Sequence, residues 1–237
     1  MISFVSGSAP SATDRRRPDA NANSCDVRAD RERFDPRGSE WPNPRRRLAS
    51  TNIVSAVGQI LRPEIVARAA ARMGFDQVLL ERAFRAGVPG LLAALTALAF
   101  KPLGARAVYK VVSEQELNSL TCLAGDFGDD KRALAVVVRG LTGLTSLLGE
   151  DKMSALAHAV SRYAGLGTSA SKCVMGLLGA IILGVLEQQR RAKALDAEGL
   201  EQLLASQNEH IDHALPNCFA EFLHGAGILT ALPQGHS

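Results

Sequence analysis

Aromatic side chains are scarce in this sequence of 237 residues: Phe, Tyr and Trp make up 5% of it, and there is a single Trp. Ala, Leu and Gly are abundant instead, and 46% of the chain is hydrophobic. Aromatic and β-branched side chains suit a pleated sheet, whereas Ala and Leu are strong helix formers. The composition therefore predicts packed helices, with enough apolar residues for the core of one domain or at most two.

Cysteines are also few, and they are widely spaced. The four are Cys25, Cys122, Cys173 and Cys218, and no C-x-x-C pair occurs. A disulfide framework is therefore not expected, and a reducing cytoplasm is the simpler location. Because Cys122 and Cys173 stand in apolar runs, we expect each of them to behave as a small hydrophobic residue.

The sequence lacks an assignable catalytic set, either Ser/His/Asp, Cys/His or a carboxylate pair. Ser169–Lys172 fits S-x-x-K, but its companion motifs are missing, so we interpret it as a helix N-cap followed by an exposed lysine. Gly165–Gly167 has neither the preceding strand nor the G-K-[ST] of a phosphate loop. We interpret the lone His158 as a packed histidine. An enzyme is not favoured, and no cofactor is expected.

The sequence also has no apolar run that reaches the roughly 20 residues needed to span a bilayer. The two longest uncharged apolar stretches are Ala86–Phe100, of fifteen residues, and Cys173–Leu186, of fourteen. No secretory signal is recognisable at residues 1–10. We interpret both stretches as buried core helices; insertion of residues 88–100 and 173–186 into a membrane is the alternative.

Charge is unevenly distributed along the chain. Residues 1–50 hold ten Arg and seven acidic residues; of the 27 basic and 24 acidic residues in total, this leaves seventeen of each for the rest. The remainder is therefore neutral, and no specific nucleic acid is predicted as a partner. Residues 1–50 are rich in Arg and Pro and poor in apolar side chains, which predicts a disordered, solvated arm rather than an arm that binds nucleic acid or a membrane.

The apolar pattern begins abruptly at Thr51. This predicts an all-helical domain over 51–233 and a flexible tail over 234–237. It also raises the hypothesis that the native protein starts near residue 50, which the intact mass of the native protein tests.

Helix start and stop signals recur from Asn52 onward, whereas no window alternates with a period of two for long. Asp76 and Asp196 are predicted to cap helices, and Gly74 and Gly165 to end them. Pro89 predicts a kink or a break at Gly87–Gly90, and Ser113 with Glu116 has the spacing of a capping box. Leu134 and Leu141 fit one helical face. Helices are predicted at 53–61, 63–73, 76–100, 113–123, 130–147, 150–164, 169–193 and 197–206, with a last one through Ile211 toward Phe222 that is interrupted near Pro216. The predicted fold class is all-α, a compact multi-helix bundle.

A weak internal repeat is present. Ile65–Gly74 is followed by a capped helix with Gly87–Gly90, and Ala155–Gly165 is followed by a capped helix with Gly176–Gly179. The pattern predicts two pseudo-repeated helical hairpins that pack together. Chance similarity between two Ala/Leu-rich stretches is the alternative.

Gly176, Ala180 and Gly184 stand four residues apart and form a stripe of small residues on one helical face. Such a stripe lets another backbone approach closely. In a membrane it would be a dimerisation face, and in a soluble bundle it would be a tight internal crossing. We favour the crossing because the apolar run is short.

His210, His213 and Cys218 are the candidate metal ligands, since a metal site needs at least three such groups to converge. Their spacing matches no tight zinc pattern. Glu209 and Asp212 alternate with the histidines, which is typical of a solvated helix face. We favour the solvated face over a metal site.

The order of several short motifs resembles the bacterial family known as domain of unknown function 937, with its YidB-like relatives. The resemblance spans about 52–232 and is carried by Asn52–Ser55, Leu61–Val66, Gly87–Leu95, Ser146–Gly149, Gly176–Gly184, Leu200–Gln207 and Ala214–Pro216. It implies a helical bacterial protein without an established activity, so no functional residue carries over. Members commonly end in Gly-rich tails, whereas this chain has the Arg-rich arm instead.

The expected function is a non-enzymatic interaction or self-association module, with a homo-oligomer as one possible assembly. A membrane-associated protein and a metal-binding protein that uses His210, His213 and Cys218 are the alternatives.

Overall fold

The structure is a computed structural model, and it describes residues 52–115, 130–225 and 228. These residues form ten α-helices and no strand, which confirms the all-α fold class. The helices are α1 Ile53–Ile60, α2 Pro63–Met73, α3 Gln77–Ala99, α4 Gly104–Ser113, α5 Asp130–Leu148, α6 Glu150–Ala164, α7 Thr168–Ala192, α8 Ala197–Ala205, α9 Asn208–Ala214 and α10 Asn217–Gly225. The predicted arm over 1–50, the region 116–129 and the tail over 234–237 lie outside the described residues.

Two long helices, α3 and α7, form the centre of the bundle. α3 contacts each of the other nine helices, and α7 contacts α1, α3, α4, α5 and α6. Every residue of α7 from Val174 to Glu187 is buried. Most of α3 is buried as well, from Ala86 to Thr96 without interruption. An apolar helix that is covered on all sides is a central core helix.

Local signals explain several of the helix ends. The side chain of Asp76 accepts hydrogen bonds from the backbone N–H groups of Val78 and Leu79 at the start of α3. Asp196 caps α8 in the same way. Gly74 and Gly165 end α2 and α6 in the left-handed conformation, with φ of 67° and 77°, which glycine adopts without a steric penalty. The predicted caps and stops at these four positions are confirmed.

Pro89 predicted either a kink or a break at Gly87–Gly90. The break does not occur: α3 runs from Gln77 to Ala99 as one helix. Proline removes one backbone hydrogen bond, but here the segment is buried against two helices. A Cβ added at Gly87 would lie 2.6 Å from the Leu178 side chain, and one at Gly90 would lie 2.8 Å from the Phe219 ring. Packing on these small residues holds the helix through Pro89.

The helix α4 was not predicted, and the capping box assigned to Ser113 is wrong. Ser113 is the last residue of α4, and its hydroxyl donates to the carbonyl oxygen of Lys110 at 2.8 Å. The start of α4 carries no side-chain cap, since its N-cap residue is Leu103. Instead the backbone packs on α3 so closely that a Cβ at Gly104 would lie 1.9 Å from the oxygen of Leu98. A tertiary contact, which has no local sequence signal, positions this helix.

The two predicted hairpins correspond to α2–α3 and α6–α7. Each consists of a shorter helix, a left-handed glycine and a longer helix, of 11 and 23 residues in one case and 15 and 25 in the other. The shared local plan agrees with the sequence pattern, and the repeat itself stays a prediction.

Candidate functional site: an apolar groove beside a close helix crossing

Two helices that are distant in sequence, α5 and α7, cross with their backbones in close contact. A Cβ added at Gly140 of α5 would lie 2.0 Å from the oxygen of Gly176 and 2.5 Å from the nitrogen of Ala180. One added at Gly176 would lie 2.6 Å from the oxygen of Val137. The two backbones therefore touch, and no side chain can stand between them.

The small-residue stripe of α7 is placed at this crossing in part. Gly176 and Ala180 face Gly140, while Gly184 is buried further along α7. Gly179, which the stripe did not include, also faces α5, because a Cβ there would lie 2.5 Å from the Leu144 side chain. The partner glycine on α5 was missed, since nothing in a sequence tells which helix a small-residue stripe will meet.

An apolar groove of ≈ 220 Å³ lies where α2, α5 and α7 meet. Because the small residues bring α5 and α7 together at Gly140, the parts of both helices before the crossing form walls on either side. The residues that line the groove are mostly apolar and include Ala69, Met73, Leu134, Val137, Cys173 and Leu177. Arg72 of α2 also lines the groove.

Two apolar side chains of α5 are exposed to solvent at this groove: Leu134, which contributes to its lining, and Val138, which does not. Leu134 is 63% exposed and Val138 is 53% exposed, one helical turn apart. Leu134 and Leu141 lie on one helix, as their spacing predicted, but Leu134 is exposed whereas Leu141 is half-buried. The inward face of α5 is set by Gly140 and by the buried Leu144, and the helical repeat turns residues 134 and 138 away from it. We call Leu134 and Val138 the α5 ridge.

Cys173 is a free, exposed thiol in the wall of the groove, and Cys218 is free and exposed on α10. The expectation that Cys173 behaves as a buried hydrophobic residue is wrong. It lies in an apolar run, but it precedes the fully buried part of α7, which begins at Val174. Cys25 and Cys122 lie outside the described residues.

A second, more polar cavity of ≈ 370 Å³ lies between α6 and α10. His158, Arg162, Glu221 and Phe222 contribute to its lining. His158 is exposed, so its interpretation as a packed histidine is wrong: the apolar face of α6 is formed by its neighbours Ala157 and Ala159. The Arg162 guanidinium lies 4.9 Å above the Phe222 ring, an arrangement that packs the arginine against the wall.

The candidate metal ligands do not come together. No group of three or more His, Cys, Asp or Glu side chains in the described residues could hold a metal ion, and His210, His213 and Cys218 are all described. His213 is exposed, and its Nδ1 lies 2.7 Å from the backbone oxygen of Glu209 on its own helix. His213 and Cys218 are exposed on α9 and α10, and His210 is half-buried on α9.

The S-x-x-K segment forms the first turn of α7. The N-cap residue is Gly167 rather than Ser169, and no side chain caps this helix. Ser169 and Lys172 are both exposed. The assignment of Ser169 as the cap is therefore wrong, whereas the exposed lysine was predicted.

The described chain contains one fully buried carboxylate, Glu187, near the C-terminal end of α7. Arg190 donates to it through Nε at 2.6 Å and Nη2 at 2.9 Å, and Arg191 donates as well. Burial opposes ionisation of Glu187, but these hydrogen bonds and charges outweigh it and lower its pKa. Glu187 in turn raises the pKa of Arg190. The Arg190 guanidinium also lies 5.4 Å from the Tyr109 ring centroid, so the cluster joins α7 to α4 and is structural.

By length and composition the helix α7 could cross a membrane, since the mean hydropathy of its most apolar 18 residues is 1.9. The helices over 131–148 and 150–164 meet this criterion only when they are taken together as one span, and their axes are bent by 119° at the break between them. The window in α7 is 78% buried inside the bundle, as is usual for the core helix of a soluble protein.

The sequence profile of a bacterial protein family of unknown function, DUF937, matches residues 56–189. The match covers more than half of the chain. The chain belongs to the DUF937 family. The matched region runs from α1 to near the end of α7, so it includes α3, most of α7, the α5–α7 crossing and the groove. It is shorter than the region 52–232 over which the sequence motifs resemble the family.

Comparison with curated proteins and with solved structures returns no match. The DUF937 match thus establishes the bacterial family, whose function is unknown, and the described residues of the chain are helical. It assigns no activity to any residue, and the YidB-like relatives stay a prediction.

Proposed function

We propose that this DUF937 protein is a non-enzymatic self-association module, and that the apolar groove with the α5 ridge is its contact surface. The observation that carries the proposal is the pairing of a groove lined by apolar side chains with two apolar side chains that stand exposed beside it. Exposed apolar groups of this kind are a recurrent feature of contact surfaces.

A second copy of the chain is the occupant that fits this surface. In a two-fold symmetric dimer the same patch on each copy must be complementary to itself. The α5 helix supplies both the ridge, through Leu134, and a wall of the groove, through Val137. The ridge of one copy can therefore enter the groove of the other, and each contact is made twice.

Charge also favours self-contact. The sequence from residue 51 onward carries equal numbers of basic and acidic residues. Two copies therefore do not repel each other through their net charge. Burial of Leu134 and Val138 in the partner's groove would remove apolar surface from water, which is the main driving force of association.

Light scattering during size-exclusion chromatography, over a range of protein concentrations, tests the proposal. We expect the wild type to shift toward a dimer as concentration rises, and Leu134→Glu to remain a monomer because it would bury a charge in an apolar groove. Val78→Glu is the matched control, since Val78 is 61% exposed on α3 and outside the groove. A wild type that stays monomeric at every concentration, or a Leu134→Glu variant that dimerises as well as wild type, contradicts the proposal.

Cys173 provides an independent measurement at the groove itself. In a variant that retains Cys173 and carries serine at the other three cysteines, we expect a thiol reagent to label Cys173 readily in dilute solution and slowly at high concentration. The same variant with Leu134→Glu should be labelled at the fast rate throughout. Equal labelling rates at all concentrations would argue that the groove is not the contact surface.

Membrane insertion of α7 is the second candidate function, because this helix meets the length and hydropathy of a spanning segment. Insertion of α7 together with the apolar part of α3 would require the bundle to open, since both helices are packed against most of the others. Fractionation of cells without detergent is the test. Recovery in the membrane pellet after an alkaline carbonate wash would support insertion, and recovery in the soluble fraction would reject it.

A further inference from the structure

The corner between α3 and α4 presents two large apolar side chains to solvent. Phe100 is 49% exposed and Leu103 is 73% exposed, and only Lys101 and Pro102 lie between them. Both follow the second half of α3, which is buried or half-buried from Ala86 to Ala99. The corner therefore exposes apolar surface at a point where the chain leaves the core.

The backbone of this corner is held in an unfavourable conformation. Leu103 has φ of 64°, a left-handed value that a leucine rarely adopts and that glycine or asparagine would adopt at lower cost. At the next residue, Gly104, a Cβ would lie 1.9 Å from the oxygen of Leu98, so the backbone enters α4 in close contact with the end of α3. A large apolar residue thus occupies a strained and exposed position, where a glycine would be more favourable for folding. Such strain is often retained for function.

Basic side chains surround the corner. Lys101, Arg106 and Lys110 are exposed, and the stretch 100–113 contains no acidic residue. Lys152 of α6 neighbours Lys101. The Lys101 side chain, partial burial and like-charge repulsion lower the pKa of Lys152.

None of these four cations forms an ion pair within the part of the chain that the structure describes. The nearby acids are Glu114, which follows the last residue of α4, and Glu150 and Asp151 on the first turn of α6. All three are exposed, and none of them pairs with these cations. The domain is neutral as a whole, but at this corner positive charge is concentrated and left uncompensated. Two amines held together would be stabilised by an anion placed between them.

We propose that this basic corner, formed by Phe100, Lys101, Leu103, Arg106, Lys110 and Lys152, docks on the anionic surface of a lipid membrane. Phe100 and Leu103 would enter the headgroup region, while the four cations pair with lipid phosphates. Exposed apolar side chains framed by lysine and arginine are the features by which peripheral proteins bind anionic bilayers. The corner shares no residue with the groove, and docking there leaves α7 inside the bundle.

The lipid surface explains the corner better than other polyanions do. A nucleic acid would bind the cations through its phosphates. It would not account for the exposed Leu103 side chain, which is maintained at a cost in backbone strain. An anionic bilayer offers phosphate for the charges and an apolar region for Phe100 and Leu103 at the correct depth below them. Both features of the corner are therefore satisfied by one partner.

Cosedimentation of the full chain with lipid vesicles tests the proposal. We expect binding to vesicles of phosphatidylcholine mixed with phosphatidylglycerol, little binding to phosphatidylcholine alone, and release by high salt, because screening weakens exposed charge contacts. Lys101→Gln should weaken binding about fivefold, as expected for one charge removed near an anionic surface. Equal binding to both kinds of vesicle, or a wild type that binds neither, overturns the proposal.

Leu103→Gly separates docking from folding. Glycine relieves the left-handed backbone, so we expect the thermal midpoint of this variant to equal or exceed that of wild type. Vesicle binding should nevertheless fall roughly tenfold, since the apolar anchor is lost. A reduced affinity cannot then be ascribed to misfolding. Val78→Ser, at an exposed apolar position on another part of the surface, should bind as wild type does.

Two further outcomes are decisive. If Leu103→Gly binds anionic vesicles with wild-type affinity, the apolar part of the proposal is wrong. If the wild type ignores vesicles but binds heparin or DNA in a manner that Lys101→Gln weakens, the partner is a soluble polyanion and the proposal is overturned. Leu134→Glu should leave vesicle binding unchanged, so failure of the dimer proposal and failure of this one are distinguishable.

Discussion

At the scale of single residues, the α5–α7 crossing offers the least tolerance to change. We expect Gly140→Ala to destabilise the fold by about 3 kcal/mol or more, at the upper end of small-to-large substitutions, because the new methyl group would meet backbone atoms and not a flexible side chain. The Cβ would lie 2.0 Å from the oxygen of Gly176. Chemical unfolding followed by circular dichroism gives the change in free energy.

Gly58→Ala is the matched control for this prediction. Gly58 lies within the exposed side of α1, and a Cβ there would meet nothing within 4 Å. Because glycine in a helix interior is less favourable than alanine, we expect this variant to be more stable by roughly 0.5–1 kcal/mol. The same substitution should thus change the free energy of unfolding in opposite directions at the two sites. A stable Gly140→Ala variant would show that the helices do not cross as described.

Glu187 is the second residue for which the structure makes a sharp prediction. Glu187→Gln should cost about 2–3 kcal/mol, less than for a fully enclosed ion pair, because Arg190 and Arg191 both reach solvent. Tyr109→Phe, which removes only the hydroxyl that lies 3.3 Å from Nη1 of Arg190, should cost under about 1 kcal/mol. Equal losses in the two variants would contradict the assignment of Glu187 as the centre of the cluster.

The pH dependence of stability gives the sign of the Glu187 contribution. The pKa of Glu187 is lowered in the folded state from an ordinary value of 4.5. Its contribution is therefore fully present above pH 4.5 and is lost as pH falls through the folded-state pKa. We expect the stability difference between wild type and Glu187→Gln to be constant near neutrality and to shrink in acid, as measured by unfolding at a series of pH values.

Single residues also show where sequence reasoning is weakest. Cys173, His158 and Leu134 all stand in apolar stretches, and all three are exposed. An apolar stretch of sequence indicates that a helix has a buried face. Whether a particular residue belongs to that face depends on its angular position around the helix axis. That position depends on which helix packs alongside, and so it is a property of the fold.

At the scale of helices, the caps make local and testable contributions. Asp76→Ala should destabilise the protein by about 1 kcal/mol, because the N–H groups of Val78 and Leu79 lose the carboxylate oxygen that accepts from them at 2.8 and 3.2 Å. Asp76→Asn, which keeps an oxygen acceptor, should lose only a small part of this. Thermal unfolding of both variants checks the prediction, and an equal loss in both would mean that the charge matters more than the hydrogen bonds.

Two helices show how packing overrides local signals. Pro89 is unfavourable inside a helix, but α3 continues through it because the surrounding residues are buried from Ala86 to Thr96. The opposite happens at α4, which begins after a left-handed leucine and has no side-chain cap. In both cases burial against other helices contributes more free energy than the local preference of one or two residues.

At the scale of the whole molecule, one buried hydrogen bond joins the first described helix to the last third of the chain. The N–H of Ile53 donates to Oε1 of Gln207 at 2.8 Å, and Gln207 lies between α8 and α9. We expect Gln207→Ala to cost about 1–3 kcal/mol, because the N–H at the start of α1 would be buried without an acceptor. Unfolding curves give the loss, and amide hydrogen exchange should show reduced protection at Ile53.

Gln202→Ala is the control for this long-range contact. Gln202 makes only an exposed hydrogen bond of 3.3 Å to Glu198 within its own helix, so its replacement should cost less than about 0.5 kcal/mol. If Ile53 remained protected in Gln207→Ala, α1 would be held by its apolar contacts alone.

The amino-acid sequence alone was sufficient to predict the all-α class and the ends of most helices. The reason is that a cap or a stop acts on backbone groups only a few residues away, so the local sequence is enough to predict it. Asp76, Asp196, Gly74 and Gly165 are the examples. The positions of α5, α6 and α7 followed from the same kind of signal.

Tertiary structure was needed for everything that depends on contacts between distant residues. It placed Gly140 against Gly176, carried α3 through Pro89, created α4, and left Leu134, Cys173 and Leu103 at the surface. It also left the candidate metal ligands apart. Packing decides which face of each helix is buried, and the groove and the basic corner exist only where packing leaves apolar side chains uncovered.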